Sequence, residues 1–225
     1  ISVDPQTGQA ADRVPALVKG KGAEVGWRFQ PNEDLTTTVA LWKLDLDSEL
    51  VYVGDAGSTE PGRASSRRGI EATLKWRLNS AFRFQVDAAL SRARFKGIAP
   101  AGEGNYVDNA VERVLATGVT YIDGPWTASL WLRYLGPRAL DTLDTVRSRS
   151  NTLLNFGTRY VMSKHLTLGL DVFNIAGKKG NDIEYLYASC TSGAVVSGSC
   201  GAGIADRHVH PMDPRSARVS AKWTF

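Results

Sequence analysis

The chain has 225 residues, a formal net charge of +4 and 43% apolar residues, which suits one all-β domain or two small ones. The modest positive charge is spread singly along the chain, so the dense basic patch of a nucleic-acid-binding protein is not expected. No apolar run reaches the roughly 18 residues of a transmembrane helix, and the first residues do not resemble a signal peptide. We therefore expect either a cytoplasmic protein or a chain whose true N-terminus is missing.

Apolar and polar residues alternate with a period of two along most of the chain, which predicts β-strands. In residues 22–29, for example, Trp27 and Phe29 lie on one face and Arg28 on the other. We predict nine strands and no helix. The alternation changes parity between Ser91 and Phe95, which predicts either a bulge or an exit of the strand from the apolar zone. The predicted strands begin near residues 22, 36, 69, 81, 111, 126, 151, 166 and 217.

The connections between these strands alternate between short and long. Tight turns are predicted at 31–34, 79–80, 123–125 and 163–164, and long polar loops at 54–66, 97–110, 137–149 and 177–215. Short turns on one side and long loops on the other are typical of an outer-membrane β-barrel. A soluble β-sandwich gives no reason to sort loop lengths in this way. The fold expected is therefore an all-β, antiparallel, up-and-down transmembrane β-barrel.

Aromatic residues gather near the short-turn ends of the predicted strands. In a membrane barrel the apolar face contacts lipid, the polar face lines the lumen, and aromatic side chains form a girdle at the interface. The alternative interpretation is a set of aromatic core residues at one end of a soluble barrel. The predicted interface aromatics include Trp76, Phe82, Trp126, Trp223 and Phe225, together with Phe29, Tyr121 and Tyr160.

The number of predicted strands indicates an incomplete barrel. An open sheet edge is unfavourable in lipid, since each unpaired backbone group costs several kcal/mol there. Single-chain bacterial barrels have an even number of strands, whereas the sequence predicts nine. We therefore expect a fragment in which "ARVSAKWTF", ending at Phe225, is the closing strand of a larger barrel.

Several segments, in their order, resemble the C-terminal part of a TonB-dependent outer-membrane receptor. They are "VALWKLDLDSELVYVGDAG", "RRGIEATLKWRL", "LTLGLDVFNIAGKK" and "PRSARVSAKWTF". The resemblance implies that residues 1–225 supply about the last nine strands of a 22-strand barrel, with residues 1–20 in an extracellular loop. It also implies an N-terminal plug domain that is not in this chain. The tight turns would be periplasmic and the four long loops extracellular.

The same resemblance implies a function and a set of partners. The protein would be a receptor in the outer membrane of a Gram-negative bacterium, and it would take up a scarce, bulky nutrient such as a ferric siderophore. Its partners would be outer-membrane lipid, the extracellular metal chelate and the TonB inner-membrane complex, reached through regions absent from this chain. The assembly machinery of the outer membrane would recognise Phe225. Neither a cofactor nor an enzymatic activity is implied.

The two cysteines, Cys190 and Cys200, flank a short segment rich in glycine and serine. This pattern favours a small loop closed by a disulfide, which forms in an oxidising compartment. Two unrelated free thiols are the alternative. A structural zinc site is not expected, because it needs four ligands and the chain has no CxxC pair.

The segment "DRHVHPMDP" carries the strongest candidate substrate-binding residues. His208 and His210 would share one face of an extended backbone, with Asp206 and Asp213 close by. Histidines beside carboxylates could contact a metal chelate at the extracellular mouth. The alternative is a loop in which the rings merely pack beside prolines. His165, at a predicted turn, is expected to be solvated.

Two other classes of function remain open at this stage. A passive porin or a barrel adhesin would share the strand pattern. An outer-membrane hydrolase would need a histidine held by a carboxylate and facing a serine, but no G-x-S-x-G motif is present. We therefore predict no catalytic residues and no dedicated metal site.

Overall fold

A computed structural model describes the backbone of residues 17–53, 58–190 and 203–225, and the side chains of these residues apart from 50–61. No helix in the described ranges is long and apolar enough to span a membrane. The described chain consists of strands joined by turns and loops. The strands are β1 (Gly20–Phe29), β2 (Leu35–Leu46), β3 (Leu50–Val53), β4 (Ser58–Pro61), β5 (Ser65–Arg77), β6 (Phe82–Phe95), β7 (Arg113–Asp123), β8 (Trp126–Leu135), β9 (Asn151–Val161), β10 (Leu166–Phe173), β11 (Asn181–Ser189), β12 (Ile204–Pro211) and β13 (Ser216–Trp223).

Nine strands form one antiparallel sheet in the order β1-β2-β5-β6-β7-β8-β9-β10-β13. Each strand of the sheet pairs with the next one along the chain, so the predicted up-and-down topology and the nine predicted strands are confirmed. Within the described residues, β1 and β13 are each paired on one side only, and the sheet is open. The predicted segment 1–20 lies largely outside the described residues.

Two of the long connections contain hairpins that were not predicted, and the first of them begins with β3, before the predicted loop at 54–66. Strands β3 and β4 pair within the connection between β2 and β5, and β11 pairs with β12 in the connection between β10 and β13. Strand β5 also begins at Ser65, so the predicted loop at 54–66 ends slightly too late. Both hairpins are separate from the main sheet and belong to the connections at its long-loop end.

The sheet has an apolar face and a polar face, because directly opposite residues of neighbouring strands share one face. One row of the apolar face runs through Trp76, Phe84, Val119, Leu130 and Phe156. Leu130 is 39% exposed and Val219, on β13, is 81% exposed. Large apolar side chains are thus exposed in the chain as described, and they require an apolar environment outside the sheet.

The apolar face has the height of a lipid layer. Along β5 and the residue after it, Ile70, Ala72, Leu74, Trp76 and Leu78 alternate with polar residues. At about 3.3 Å per residue this segment spans roughly 30 Å, and a tilt of about 40° reduces its height to roughly 23 Å. The apolar band of outer-membrane barrels is about 25 Å tall.

The tight turns are held by their own side chains. The side-chain oxygen of Asn32 accepts hydrogen bonds from the backbone N–H groups of Asp34 and Leu35, at 2.9 and 3.0 Å. Asn79 does the same for the two residues that enter β6, at 2.9 and 2.8 Å. In the turn after β7, Gly124 has a φ of +50°, which glycine adopts without steric cost. These local bonds explain why the turn positions were predictable.

The change of parity at the end of β6 is not a bulge. The pairing of β5 with β6 continues without a register shift to Ser65 opposite Phe95. Arg92 lies on the same face as Leu90, which is apolar closer to the turns. Ala93 and Phe95 lie on the opposite, polar face and pack against Val107. The strand therefore leaves the apolar zone, as the second predicted alternative states, and its inner face is covered by the following loop.

His165 is bound to β13 rather than simply solvated. Its Nδ1 atom lies 2.8 Å from the backbone oxygen of Thr224, and its ring stacks on Trp223 with a centroid distance of 5.8 Å. The backbone N–H of Thr224 donates to the carbonyl of His165 at 2.9 Å. These contacts were not foreseen from the sequence, and through them the turn between β9 and β10 secures the end of the last strand.

Two tryptophans of the polar face lie flat against glycines of the neighbouring strand. A Cβ atom at Gly69 would stand 2.8 Å from the Trp42 ring and 2.6 Å from the carbonyl oxygen of Leu90, and one at Gly118 would stand 2.4 Å from the Trp131 ring. Distances this short are not tolerated in a packed structure. Each glycine therefore makes room for an aromatic ring on the polar face.

Replacing Gly69 with alanine should destabilise the pairing of β5 with its neighbours. The backbone oxygen of Leu90 cannot move aside as a side chain can, and forced overpacking costs typically 1–3 kcal/mol. We expect a lower urea midpoint for the refolded full-length protein. Gly22→Ala is the control, because its Cβ would stand no closer than 3.3 Å to any atom; equal loss in both variants would contradict the expectation.

Candidate ligand-binding surface at the long-loop end

The long connections meet at one end of the sheet and interlock through polar contacts. We call the connection between β6 and β7 (96–112) loop A and the connection between β8 and β9 (136–150) loop B. Backbone bonds join the two loops from Tyr106 to Thr142 and from Asn109 to Ala139, at 3.0 and 2.9 Å. The ordered surface at this end is therefore built from several loops together rather than from separate flexible segments.

Loop A is also attached to the beginning of β5. The guanidinium of Arg63 donates to the carbonyl of Gly104 at 2.6 Å and to the side chain of Asn105 at 3.0 Å. Nearby, the buried carboxylate of Glu49 accepts hydrogen bonds from Arg67 at 2.9 Å and from the hydroxyl of Ser65. A buried carboxylate is tolerated when it is paired and hydrogen-bonded in this way.

Loop B is shaped by its acidic residues. Asp141 accepts bonds from the hydroxyl and N–H of Thr145 and from the N–H of Val146, at 2.7–3.0 Å. Burial acts to raise the pKa of Asp141, but these hydrogen bonds hold its pKa below the usual 3.8. Arg147 joins Asp144 to Glu112 at the end of loop A. The carboxylates of loop B are thus occupied by the loop itself.

The hairpin of β11 and β12 is anchored to loop B through Glu184. This buried carboxylate accepts bonds from the N–H of Arg149 at 3.3 Å and from Asn181 at 2.9 Å, and it pairs with Arg207 at 3.5 Å. A second contact joins Asp182 to Arg133 of β8 at 3.5 Å. The hairpin therefore has a fixed base beside loop B.

The predicted substrate-binding residues lie on this hairpin, on strand β12 rather than in a loop. His208 lies opposite Tyr185, His210 opposite Ile183, and Asp206 opposite Tyr187, so all of them share one face. The ring of His208 stacks on Tyr187 with a centroid distance of 3.6 Å. The extended backbone predicted for the two histidines is present, although their part in substrate binding stays a prediction.

The histidine face is not built as a metal site. His210 and Asp206 are exposed, and Asp206 accepts the N–H of Arg207 at 2.6 Å. Among the described residues, no three His, Cys, Asp or Glu side chains are placed to hold a metal ion. Asp213 contributes its backbone oxygen to the amide of Asn174 at 3.0 Å. The face can contact a metal chelate as a whole, but its described residues do not provide the three or more ligands that would bind a bare metal ion.

Several unpaired polar atoms lie where the loops and the hairpin meet. Within the described part of the chain, buried atoms without a hydrogen-bond partner include Asn109 Oδ1, Arg138 Nε, Asn151 Oδ1 and His208 Nε2. Buried polar atoms usually find a partner, and an exception calls for water or a ligand. Sequence reasoning missed these positions, since an asparagine or arginine in a polar loop carries no distinguishing signal.

A cavity of about 370 Å³ opens below the base of the hairpin. It lies between the polar face of the sheet and the segment that leads into β13. Its lining combines a cation, two carboxylates and amides with a few apolar groups. The lining residues include Arg133, Asn155, Phe173, Asn174, Asp182, Met212 and Asp213.

The cysteine pair is only partly described. Cys190, directly after β11, is disulfide-bonded, whereas Cys200 lies outside the described residues. The pairing of Cys190 with Cys200 therefore stays a prediction.

The predicted interface aromatics lie at the opposite, short-turn end, where Phe82 contacts Tyr121 and Trp126 contacts Tyr160 at centroid distances of 5.0 and 4.5 Å.

Asp108 of loop A should make the loop assembly sensitive to pH. Burial, followed by repulsion from Glu49 and Asp141, raises the pKa of Asp108 above 3.8. A folded-state pKa above the unfolded value means that ionisation opposes folding, so stability should fall as pH rises from 3.8 through the raised value. Asp108→Asn should remove this loss and protect loop amides better at neutral pH.

Hydrogen exchange of loop A and loop B, corrected for intrinsic rates, measures this effect. Asp141 is the internal comparison, because its lowered pKa stabilises the folded loop above 3.8 and loses this contribution as pH falls. An Asp108→Asn variant with unchanged protection at neutral pH would contradict the assignment.

Comparison with known proteins identifies the family. A family model described as "TonB dependent receptor-like, beta-barrel" matches residues 4–175. The ferric yersiniabactin uptake receptor of Yersinia pestis has a TM-score of 0.72 and 16% identity, over 92% of this chain and 30% of its own. The unliganded ferric citrate transporter has a TM-score of 0.67 and 18% identity, over 92% of this chain and 31% of its own. A copper transporter has a TM-score of 0.66 and 14% identity, over 92% of this chain and 32% of its own.

The chain spans about three-tenths of the length of these solved structures. At such identities the likeness establishes the fold. No curated protein sequence matches the chain significantly. The family model covers most of the chain, from Asp4 to Ile175, and the nine-stranded sheet agrees with it. The chain belongs to the TonB-dependent receptor-like β-barrel family.

Proposed function

We propose that this chain is part of the barrel of an outer-membrane receptor that takes up a scarce, bulky nutrient, most simply a ferric siderophore or a similar metal chelate. The observation that carries the proposal is family membership combined with an interlocked polar surface at the long-loop end. Ferric yersiniabactin, ferric citrate and copper are named for proteins of similar fold. The protein would be a transport receptor and not an enzyme.

In this proposal the hairpin face with Asp206, His208 and His210 captures the ligand outside the cell. Tyr187 supports the ring of His208, and exposed His210 adds a second donor on the same face. The ligand then moves toward the cavity at Arg133. A plug domain and the contact with the TonB complex belong to parts of the receptor outside this chain.

The remaining partners follow from the two ends of the sheet. Lipid covers the apolar face, and the aromatics Trp76, Phe82, Trp126, Trp223 and Phe225 lie at the periplasmic interface of a Gram-negative outer membrane. The exposed ring of Phe225 is available to the assembly machinery. A disulfide between Cys190 and Cys200 would form in the oxidising periplasm before insertion.

Uptake of radiolabelled iron by cells that carry the full-length receptor as their only one tests this proposal. The probes are ferric catecholate, hydroxamate and citrate complexes. We expect uptake of one class, dependent on the TonB complex, and weaker ligand binding by a His208→Ala/His210→Ala variant. Lys222→Gln is the control variant, at the other end of the polar face. Energy-independent uptake with open-channel conductance would indicate a passive porin and contradict the proposal.

A further inference from the structure

A row of cations crosses three strands on the outside of the sheet. Lys43 of β2 lies directly opposite Arg68 of β5, which in turn lies directly opposite Arg92 of β6. Directly opposite residues share a face, and this face is the apolar one, because Leu41, Ile70 and Leu90 form its next row. All three cations are exposed. Charged residues are therefore present on the apolar face of the sheet as well as on the polar face that is predicted to line the lumen.

A fourth cation extends the row toward β7. Arg113 lies opposite Leu90, one row closer to the turns, and it is also exposed. The carbon stem of Arg113 packs against Gly136, where an added Cβ would stand 2.9 Å from the arginine Cβ. The side chain of Arg113 therefore lies along the outer surface, beside Gly136. Three neighbouring strands therefore contribute one cation each to the same row, and the fourth strand adds a cation one row, or about 7 Å, closer to the turns.

The cations lie where the apolar face ends. On each of β2, β5 and β6, the last outward apolar residue is two positions away from the cation, which is about 7 Å along a strand. Toward the turns the outward residues of β5 and β6 are all apolar, and on β2 only Thr37 is polar. In a membrane, phosphate groups of the lipid headgroups begin at this height, directly above the acyl chains.

The arginines of this group lack the counter-charges that cations of the polar face have. Asp45 lies 3.5 Å from Lys43 and 3.4 Å from Lys96, but in the described parts of the chain no carboxylate pairs with Arg68, Arg92 or Arg113. Like charges directly opposite one another on a sheet are destabilising. On the polar face, by contrast, Asp171 is shared by Arg159 and Arg218 at 2.8 and 3.2 Å. An external anion would remove the repulsion outside.

We propose that Lys43, Arg68, Arg92 and Arg113 form a binding site on the outer wall of the barrel for the phosphate groups of an outer-leaflet glycolipid. Guanidinium groups bind phosphate in a bidentate manner. Three strands about 4.8 Å apart set a row about 10 Å wide, which admits a headgroup with more than one phosphate. The inference rests on the membrane placement of the proposed function and goes beyond its transport step.

The test compares two triple variants of the full-length receptor purified from outer membranes. Lys43→Gln/Arg68→Gln/Arg92→Gln removes the three directly opposite cations and leaves Arg113 in place. Arg28→Gln/Lys75→Gln/Arg83→Gln removes three cations of the polar face and is matched in charge and chemistry. Bound lipopolysaccharide is counted by native mass spectrometry, and rebinding is titrated with lipopolysaccharide before and after enzymatic removal of its phosphates.

We expect wild type and the polar-face variant to retain lipopolysaccharide, and the external variant to bind it at least tenfold more weakly. Wild type should bind the dephosphorylated lipid as weakly as the external variant binds the intact lipid. Equal retention by both variants would overturn the inference, as would full competition by inorganic phosphate, which would indicate a site for a free anion. Normal iron uptake together with equal retention would reject the lipid site alone, whereas lipid binding without uptake would reject the transport proposal alone.

Discussion

Replacing Leu130 with arginine should destabilise the full-length protein in a lipid bilayer by about 2–4 kcal/mol. Leu130 lies in the middle of β8, on the apolar face and partly exposed. At this height an arginine would have to leave water for hydrocarbon. The free energy of unfolding, measured by urea titration of the receptor in bilayers with tryptophan fluorescence as the signal, gives the cost directly.

The matched control is Ser129→Arg, one residue earlier on the same strand. Ser129 lies on the polar face, where its hydroxyl contacts that of Thr120 at 3.0 Å, and losing this hydrogen bond costs about 1 kcal/mol. The two variants add the same side chain at neighbouring positions, so their difference isolates the environment of each face. Equal destabilisation by both would mean that the apolar face does not contact lipid.

Replacing Glu184 with alanine should release the β11–β12 hairpin from loop B. Its carboxylate is buried and is shared by Arg207, Asn181 and the backbone of Arg149. The variant leaves the N–H of Arg149 and the amide of Asn181 without their acceptor, at a cost of about 1–3 kcal/mol for each buried group that stays unpaired, whereas Arg207 is partly exposed and can be hydrated. We expect faster hydrogen exchange across both hairpin strands and weaker ligand capture, with the main sheet unchanged.

Asp206→Ala provides the comparison for this variant. Asp206 lies on the same hairpin but is exposed, and an exposed charge contributes about 0–1 kcal/mol. Hairpin exchange should therefore stay close to that of the wild-type protein. Unchanged protection in the Glu184→Ala variant would contradict the anchoring role, because the hairpin would then be held by its other contacts alone.

The sheet could be predicted from sequence because its signals are local. Alternation places Trp27 and Phe29 on one face irrespective of distant residues, and Asn32 and Asn79 close their turns with neighbouring N–H groups. Each strand pairs with the next strand of the sheet, so the topology followed from the order of the segments. The parity change before Phe95 was visible too, but choosing between bulge and exit required the pairing with β5.

The surface at the long-loop end could not be predicted in the same way. Glu184 meets Arg149 and Arg207 only after three connections have folded together, and no spacing rule relates these positions. The hairpin strands were missed because their short segments lie among residues typical of loops. His208 and His210 were identified as neighbours on one face, whereas the stacking of His208 on Tyr187 depends on the register of β11 with β12.

The external row of cations was present in the sequence without being recognised. Arg68 and Arg92 follow the alternation of their strands, but on the face that is apolar further along. Seen in one strand, such a residue is an isolated exception. Only the register shows that Lys43 continues the same row, and that neighbouring strands change from apolar to basic at the same height.

The central claim is that the apolar face of the sheet contacts lipid, and nitroxide labels at Leu130 and Ser129 test it most directly. Each position would be changed to cysteine and labelled without reductant, in the full-length receptor in bilayers. Collision with oxygen, which concentrates in lipid, and with a water-soluble nickel complex is measured by electron paramagnetic resonance. We predict high oxygen and low nickel accessibility at position 130, and the reverse at position 129. The same accessibility at both positions, or the opposite order, would contradict the account.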